Sequence, residues 1–497
     1  MEQKIILEKM YEKARECPNK LCVLEKERRI TYSQYWNAVS HCAAYLTEKG
    51  ICKGTRVTIA SEQTAVFLMA VSAIHLAGAV AVPLEKNLPV QRIVEIMKMM
   101  DTAWIVGRNL NMPEGSHFIS FDHLEHWFKE CESEQQSRNF PEGNALADIL
   151  FTTGTTGMPK GIQVTHFTNI AIAENVIDSV ELAEDEVELI PTPINHSLGL
   201  RRYYGAMYRG STIGIIDGVI YVEDFFDMLK KYNMTAITLV PTMLSILMKF
   251  SKNRLGEFDH QLRFIQIGSA PLLKEEKQEL CTLLPDVRLY NTYGATEAGC
   301  SCILEFSKLQ NKMFCIGRPT VNATVGFVDD GRKVINATKE NPGYLFFEGP
   351  MNMSGYWMEP ELTKEVLQDG KIFTNDIGYR GEDGYIYLLG RKDEVINSGG
   401  NKIAPLEIEE TMQKHTKVDE CACVPVKDPV AGQMPKLYVV MKPGEQFCQE
   451  ELIRFLSQRL EFFKIPRQIE ELDKLPRAYN GKLLRKELRE REEKKNG

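Results

Sequence analysis

Between Gly210 and Tyr293 the chain alternates short apolar runs with amphipathic ones, and this rhythm limits the available folds more than any other feature. Residues 211–217 read as a strand, 222–232 as an amphipathic helix and 235–240 as a second strand. Pro241 then opens a helix over 242–250, since proline's missing N–H costs nothing at the first helical position. A third strand at 263–267, a helix at 273–284 and a fourth strand at 287–291 complete the series. Strands and helices in strict alternation predict a parallel sheet with helices packed on its faces. Ligands of such sheets gather at the carboxyl ends of the strands. The loops that begin at Pro241, Gly268 and Asn291 are therefore expected around one cleft.

The first half, with helical segments near 32–49 and 64–78, allows a second βα layer of the same kind. The apolar stretch 65–82 contains His75 and Gly78, lies between Gln63 and Glu85, and reads as a buried core helix followed by a short strand. From Tyr344 onward the runs shorten, as in 385–389, and predict a β-rich subdomain. After Arg391 a helix at 405–415, strand-like runs at 421–426 and 437–441, and a helix at 450–460 make a compact α+β unit of about a hundred residues. A chain of 497 residues needs two or three domains. The expected class is α/β, with a large N-terminal domain (1–390) and a small C-terminal one (391–497).

A formal net charge of −8 argues against a nucleic-acid binder, which would carry a basic face. No segment reads as a transmembrane helix, and residues 1–13 are charged and helical in pattern with no cleavable apolar region. Twelve cysteines are scattered; Cys300 with Cys302 and Cys421 with Cys423 are C-x-C pairs that alternation along a strand explains. Reduced thiols and a cytoplasmic location are expected.

The most informative segment is Thr152-Thr-Gly-Thr-Thr-Gly-Met-Pro-Lys-Gly161, which follows a short apolar strand. Glycines let the backbone approach an anion, and hydroxyls with N–H groups can surround phosphate oxygens. Lys160 adds a positive charge. A P-loop NTPase would need Gly-Lys-Ser/Thr, and here the lysine follows a proline and precedes a glycine.

With this loop come further segments in a fixed order: Pro193-Ile-Asn-His196, Gly268-Ser-Ala-Pro271, Asn291-Thr-Tyr-Gly-Ala-Thr-Glu297, Thr374-Asn-Asp376, Gly390-Arg-Lys-Asp393, Ser398-Gly-Gly-Asn-Lys-Ile-Ala-Pro405 and Leu475-Pro-Arg-Ala-Tyr-Asn-Gly-Lys482. Together they resemble the adenylate-forming superfamily of acyl-CoA synthetases, adenylation domains and beetle luciferases. The resemblance implies ATP, Mg2+ and coenzyme A as cosubstrates and cofactor, and a small carboxylic acid as substrate. The acid and ATP would form an acyl-adenylate and pyrophosphate, and a thiol would then displace AMP. It further implies that Lys482 is the adenylation lysine, that Glu297 holds magnesium with Thr296 beside it, and that His196 lines the acyl pocket. Thr152, Thr153, Gly154, Thr155, Thr156, Gly157 and Lys160 would surround the phosphates. Ser269, Ala270, Pro271, Asn291, Tyr293 and Gly294 would lie around adenine and acyl group, and Asp376 and Arg391 would grip the ribose and nucleotide.

The boundary at 390–393 falls on Asp393, which matches the superfamily's hinge. The resemblance implies a mobile small domain, with Lys482 serving adenylation and the Gly399–Gly400 loop admitting a pantetheine arm. One departure stands out: Tyr344 occupies a position where the superfamily usually has glutamate. Asn195 and Ser197 flank His196, where amino-acid-activating relatives usually place an Asp, and no carrier-protein domain follows Lys482. Both favour coenzyme A over a separate carrier protein, the alternative acceptor. If 197–208 is helical, Leu200 and Tyr203 share a face with His196 and suggest an apolar or aromatic pocket. Arg201 and Arg202 then point elsewhere and read as surface or interdomain charges; Arg202 as the holder of a dicarboxylate is the minor alternative.

Overall fold

The computed structural model describes residues 4–130, 139–152, 160–272, 274–309, 312, 315–392, 394–398, 401–477 and 483–495. The alternating region closes into a sheet whose parallel strands run in the order Leu21–Leu24, Thr212–Ile215, Val187–Ile190, Ala236–Leu239, Phe264–Ile267 and Arg288–Ala295. Arg29–Thr31 at one edge, and Gly299–Glu305 with Arg318–Pro319 at the other, pair antiparallel and bring it to nine strands. The central strands are buried at every position, as a sheet covered on both faces requires. Register aligns Leu239 with Ile267 and Ile267 with Asn291, so the segments that begin at Pro241 and Gly268 leave neighbouring strand ends together. No loop begins at Asn291, because its strand continues to Ala295 to pair with the return strand Gly299–Glu305.

The first half forms a second sheet, of seven strands. His117–Ser120, Trp104–Gly107, Arg56–Ile59, Val80–Pro83 and Leu146–Thr152 run parallel. Lys160–Thr165 then turns back against Leu146–Thr152, and the two-residue strand Gly355–Tyr356 covers its outer edge. That last pairing joins segments almost two hundred positions apart in the chain.

The largest core cluster draws on both sheets and on the helices Tyr32–Glu48, Ala65–Leu76, His166–Val180 and Ser197–Arg209. Tyr32–Glu48 starts on a capping box: Thr31 Oγ1 accepts from the Gln34 N–H, and Gln34 Oε1 accepts from the Thr31 N–H. Ala65–Leu76 is buried at every residue but the last, which accounts for a sequence apolar except at Ser72 and His75. Ser197–Arg209 ends at Gly210, whose φ of 82° is the left-handed conformation that glycine adopts without steric cost.

The place of this last helix overturns the expectation for its arginines. Arg201 and Arg202 are both buried, Arg202 completely. Arg202 donates from Nε and Nη2 to the two carboxylate oxygens of Glu188 (2.7 and 2.5 Å) and from Nη1 to Gln266 Oε1 (2.8 Å). Glu188 also accepts from Thr238 Oγ1 at 2.6 Å, so each buried charge has its hydrogen bonds. A helix packed between two sheets has no solvent face on which to put such residues, and adjacency in sequence could not reveal this. Nor is Arg202 placed to hold a substrate carboxylate, since all its described bonds are to the fold itself.

Residues 324–391 make the expected β-rich subdomain, a six-stranded antiparallel sheet that includes Gly343–Glu348, Lys371–Arg380 and Ile386–Arg391. In it, Tyr344 donates from its phenol to Asp330 Oδ1 at 2.7 Å. The C-terminal unit has a five-stranded sheet led by the long hairpin Val418–Asp428 and Gly432–Met441, and a core of its own around Ile408, Leu437 and Leu452. Both C-x-C pairs lie on strands, and the eleven described cysteines are all free thiols. No helix among the described residues is long and apolar enough to cross a membrane.

Candidate active site

The hairpin of the second sheet sets Thr152 opposite Lys160 in register. Thr153, Gly154, Thr155, Thr156 and Gly157 lie outside the described residues. Lys160 has its ammonium 5.7 Å from the ring centre of Tyr356, within cation–π range. Tyr356 is held there by sheet pairing with Ile162 and by the Trp357 N–H, which donates to Gly161 O at 2.7 Å. Its phenol donates to Glu297 Oε1 at 2.9 Å. One tyrosine, in neither motif, thus joins Lys160 to the Thr296–Glu297 turn. Burial, with the Glu297 charge beside it, pushes the Tyr356 phenol upward, so it is a protonated donor at neutral pH.

Glu297 Oε2 has no hydrogen-bond partner among the described residues, and the adjacent Thr296 hydroxyl donates to Ser197 Oγ at 3.2 Å. One carboxylate oxygen next to a hydroxyl suits magnesium, which takes few protein oxygens and keeps its waters or phosphate ligands.

Tyr293 and Asp376, both expected beside the nucleotide, meet although they come from different sheets. The Tyr293 phenol donates to Asp376 Oδ2, and burial together with the Asp376 charge holds that phenol well above its ordinary range. Asp376 pairs in register with Arg391, whose Nε lies 3.6 Å from Oδ1. The strand segment that presents Asp376 is fixed by Thr374, whose hydroxyl donates to Leu345 O at 2.9 Å and accepts from the Asp376 N–H at 3.1 Å. Asn291 is buried and donates from Nδ2 to Ile267 O at 3.1 Å, which ties two strand ends together. Ser269 has φ 72°, a left-handed backbone uncommon for a residue with a Cβ. It opens the short run Ser269, Ala270, Pro271 beyond the strand Phe264–Ile267. At Gly294 a Cβ would lie 2.0 Å from Gly299 O, so only glycine permits the tight crossing of strand and return strand.

His196 is the N-cap of Ser197–Arg209, half-exposed, with Nε2 3.1 Å from Glu85 Oε2. The neighbouring Asn195 is buried and donates to Leu84 O at 3.1 Å, so it braces the loop. Leu200 and Tyr203, expected beside His196 in a pocket, are instead fully buried in the main core, where Tyr203 bonds Ser72 and Tyr35. Leu198 is the apolar residue that approaches the strand ends, within 3.7 Å of where a Cβ at Gly268 would be.

Asp393, Gly399, Gly400 and Lys482 lie outside the described residues. Three side chains had no signal in the sequence: Tyr356, Glu85 and Arg201. Each reaches the site through a contact distant in sequence: in the sequence Glu85 only bounds an apolar stretch, and Arg201 reads as a surface or interdomain charge.

Residues 10–357 match the AMP-binding enzyme family and residues 407–482 match the AMP-binding enzyme C-terminal domain. The 2-succinylbenzoate–CoA ligase of Bacillus cereus is 30% identical over 95% of this chain and 96% of its own. The o-succinylbenzoate CoA synthetase of Bacillus subtilis, solved with its acyl-adenylate intermediate, superimposes with a TM-score of 0.84 at 25% identity, covering 98% of each chain. ATP-bound MatB from Rhodopseudomonas palustris shares the fold, with a TM-score of 0.87 at 23% identity and 98% of each chain covered. The chain belongs to the AMP-binding enzyme family. Within it, the activity is that of an acid–CoA ligase, which forms an acyl-adenylate and then a thioester.

Proposed function

We propose that this enzyme activates an organic acid at the strand-end cleft, with polyphosphate at Lys160 and Glu297 and the nucleoside at Tyr293 and Asp376. The observation that carries this reading is the convergence of Lys160 and Glu297 on Tyr356. Two motifs far apart in the chain are joined there by a side chain belonging to neither. In the first step a carboxylate oxygen of the acid attacks the α-phosphorus, and the bond to pyrophosphate breaks. The chain's part is to aim cations, Lys160 and in this reading Lys482, at charge that builds on the phosphates. Magnesium would add charge at the phosphates, held by Glu297 with Thr296. Asp376 would accept from the ribose hydroxyls, Arg391 would flank it, and Ser269, Ala270, Pro271, Asn291 and Gly294 would border adenine and acyl group. In the second step the thiol sulfur of coenzyme A attacks the acyl carbonyl and AMP leaves. Gly399 and Gly400 would let the pantetheine arm pass, after a rotation of residues 391–497 against 1–390 about Asp393.

His196 with Leu198 would border the acid. The first acid to test is 2-succinylbenzoate, on the strength of the 30% identical ligase that spans nearly the whole chain. The free state of the described thiols supports a cytoplasmic setting. Acid-dependent exchange of pyrophosphate into ATP, run over 2-succinylbenzoate and a panel of aliphatic, aromatic, dicarboxylic and amino acids, tests the reading. One acid class should dominate, and exchange with none of them would end the proposal. AMP release with coenzyme A, compared with a phosphopantetheinylated carrier protein, then tests the acceptor.

A further inference from the structure

Arg201 is more than nine-tenths buried, yet no carboxylate lies within ion-pairing distance of it among the described residues. Its guanidinium donates instead to two successive backbone carbonyls, Ala295 O at 3.2 Å and Thr296 O at 2.6 Å. Its Nε has no hydrogen-bond partner. Ser197, four residues earlier and so on the same helix face, accepts from the Thr296 hydroxyl at 3.2 Å. The helix whose N-cap is His196 therefore holds the Ala295–Glu297 turn at two points one turn apart. Arg202, the next residue, locks that helix to the sheet through Glu188 and Gln266.

We propose that Arg201 is a positioning residue for MgATP, which fixes the Thr296–Glu297 turn through its two carbonyl bonds and lends a buried positive charge to the triphosphate, with Ser197 as its helper. The proposal rests on the reading of Glu297 given above. A guanidinium keeps its charge in a protein even when buried. The charges of Glu297 and Asp148 reach Arg201 without a direct ion pair, and in a low-dielectric setting a buried charge acts over a longer range than an exposed one. The same helix carries His196 at its N-cap, so the turn and the acid side of the cleft share one rigid support.

Steady-state kinetics of the full-length enzyme test this with Arg201→Met, Arg201→Lys and Ser197→Ala, each titrated with MgATP and then with the acid found by pyrophosphate exchange. Arg201→Met is expected to raise KM for MgATP about tenfold or more, with a much smaller change in KM for the acid. Lysine should restore part of the loss, and Ser197→Ala should raise KM for MgATP a few-fold. The MgATP-induced rise in melting temperature should shrink in the same order. A general loosening of the fold would move both KM values together, and that result overturns the proposal. If Arg201→Met does not fold, an unchanged KM for MgATP in both Arg201→Lys and Ser197→Ala overturns it as well. Glu297→Gln, measured alongside, separates the two levels. If it leaves the MgATP dependence intact, the reading of Glu297 fails. If it weakens MgATP binding while the Arg201 variants do not, only the present inference fails.

Discussion

The phenol of Tyr356 donates a 2.9 Å hydrogen bond to Oε1 of Glu297, and its ring lies 5.7 Å from the ammonium of Lys160. A carboxylate fixed by one oxygen presents the other in a defined direction, without the entropy loss of ordering a free side chain at the moment of binding.

Tyr356→Phe keeps the ring and removes only the donor. Loss of one hydrogen bond to a charged group costs about 1.5–3 kcal/mol. KM for MgATP in pyrophosphate exchange is expected to rise about tenfold, with little change in thermal stability. An unchanged KM would show that Glu297 needs no such brace.

Asp376→Asn replaces the acceptor of the Tyr293 phenol with a neutral amide and weakens the pairing with Arg391. Equilibrium binding of AMP, followed by calorimetry, should weaken about tenfold or more. Retention of wild-type affinity would remove Asp376 from the nucleotide site.

Lys482→Ala should abolish acyl-adenylate formation yet leave thioester formation from supplied acyl-AMP largely intact. Asp393→Pro should do the reverse. Measuring both half-reactions in both variants decides the matter: equal loss of the two in Lys482→Ala, or normal transfer in Asp393→Pro, contradicts the assignment.

Glu188→Gln strips the buried Arg202 of its counter-charge. Leaving a buried ion without its partner costs about 3–5 kcal/mol. Denaturant unfolding should show a loss of that order, whereas the ranking of acids should stay as it is. A shift in acid preference would revive Arg202 as a substrate ligand.

Glu410, on the C-terminal helix Pro405–Met412, is buried with Glu275 near it, and these push its carboxyl up to about 7. Lys277, buried on the helix Lys274–Leu283, is drawn down to about 8 by its burial. A raised folded-state value means that Glu410 favours the folded, docked state while protonated, below its ordinary value of 4.5. That stability is lost as pH rises through about 7. Lys277 has the opposite sign: its share is present above its ordinary 10.5 and is lost as pH falls through about 8. Glu410→Gln should therefore stabilise the protein at pH 8 by on the order of 1–3 kcal/mol and leave it almost unchanged at pH 4. Melting curves of both proteins at the two pH values check this; equal shifts at both would refute it.

The strand–helix alternation from 211 to 291 was legible because each element needs only local periodicity, and every one of those elements lies within a few residues of its expected ends. The ordered motifs pointed to Glu297, Asp376 and Tyr293 for a different reason, their resemblance to a family. What periodicity could not supply was the third dimension of the helix Ser197–Arg209. Its i, i+4 and i+7 pattern correctly placed Leu200 and Tyr203 together, but on the core side. It also misread two arginines, because a helix enclosed by two sheets buries all its faces. Tyr356 was illegible too, since its partner strand lies almost two hundred positions upstream.

That long-range pairing bears on how the enzyme is made. The outer edge of Lys160–Thr165 is covered by Gly355–Tyr356, and the Trp357 indole donates to Met99 O at 3.1 Å. On a ribosome adding about 5–20 residues per second, the hairpin would wait roughly 10–40 s for its covering strand. Throughout that interval an unpaired strand edge is open to other nascent chains. The stretch of translation between Thr165 and Trp357 is thus the window in which a chaperone has most to protect, and a stalled or truncated product ending before Gly355 should be aggregation-prone even with its nine-stranded sheet complete.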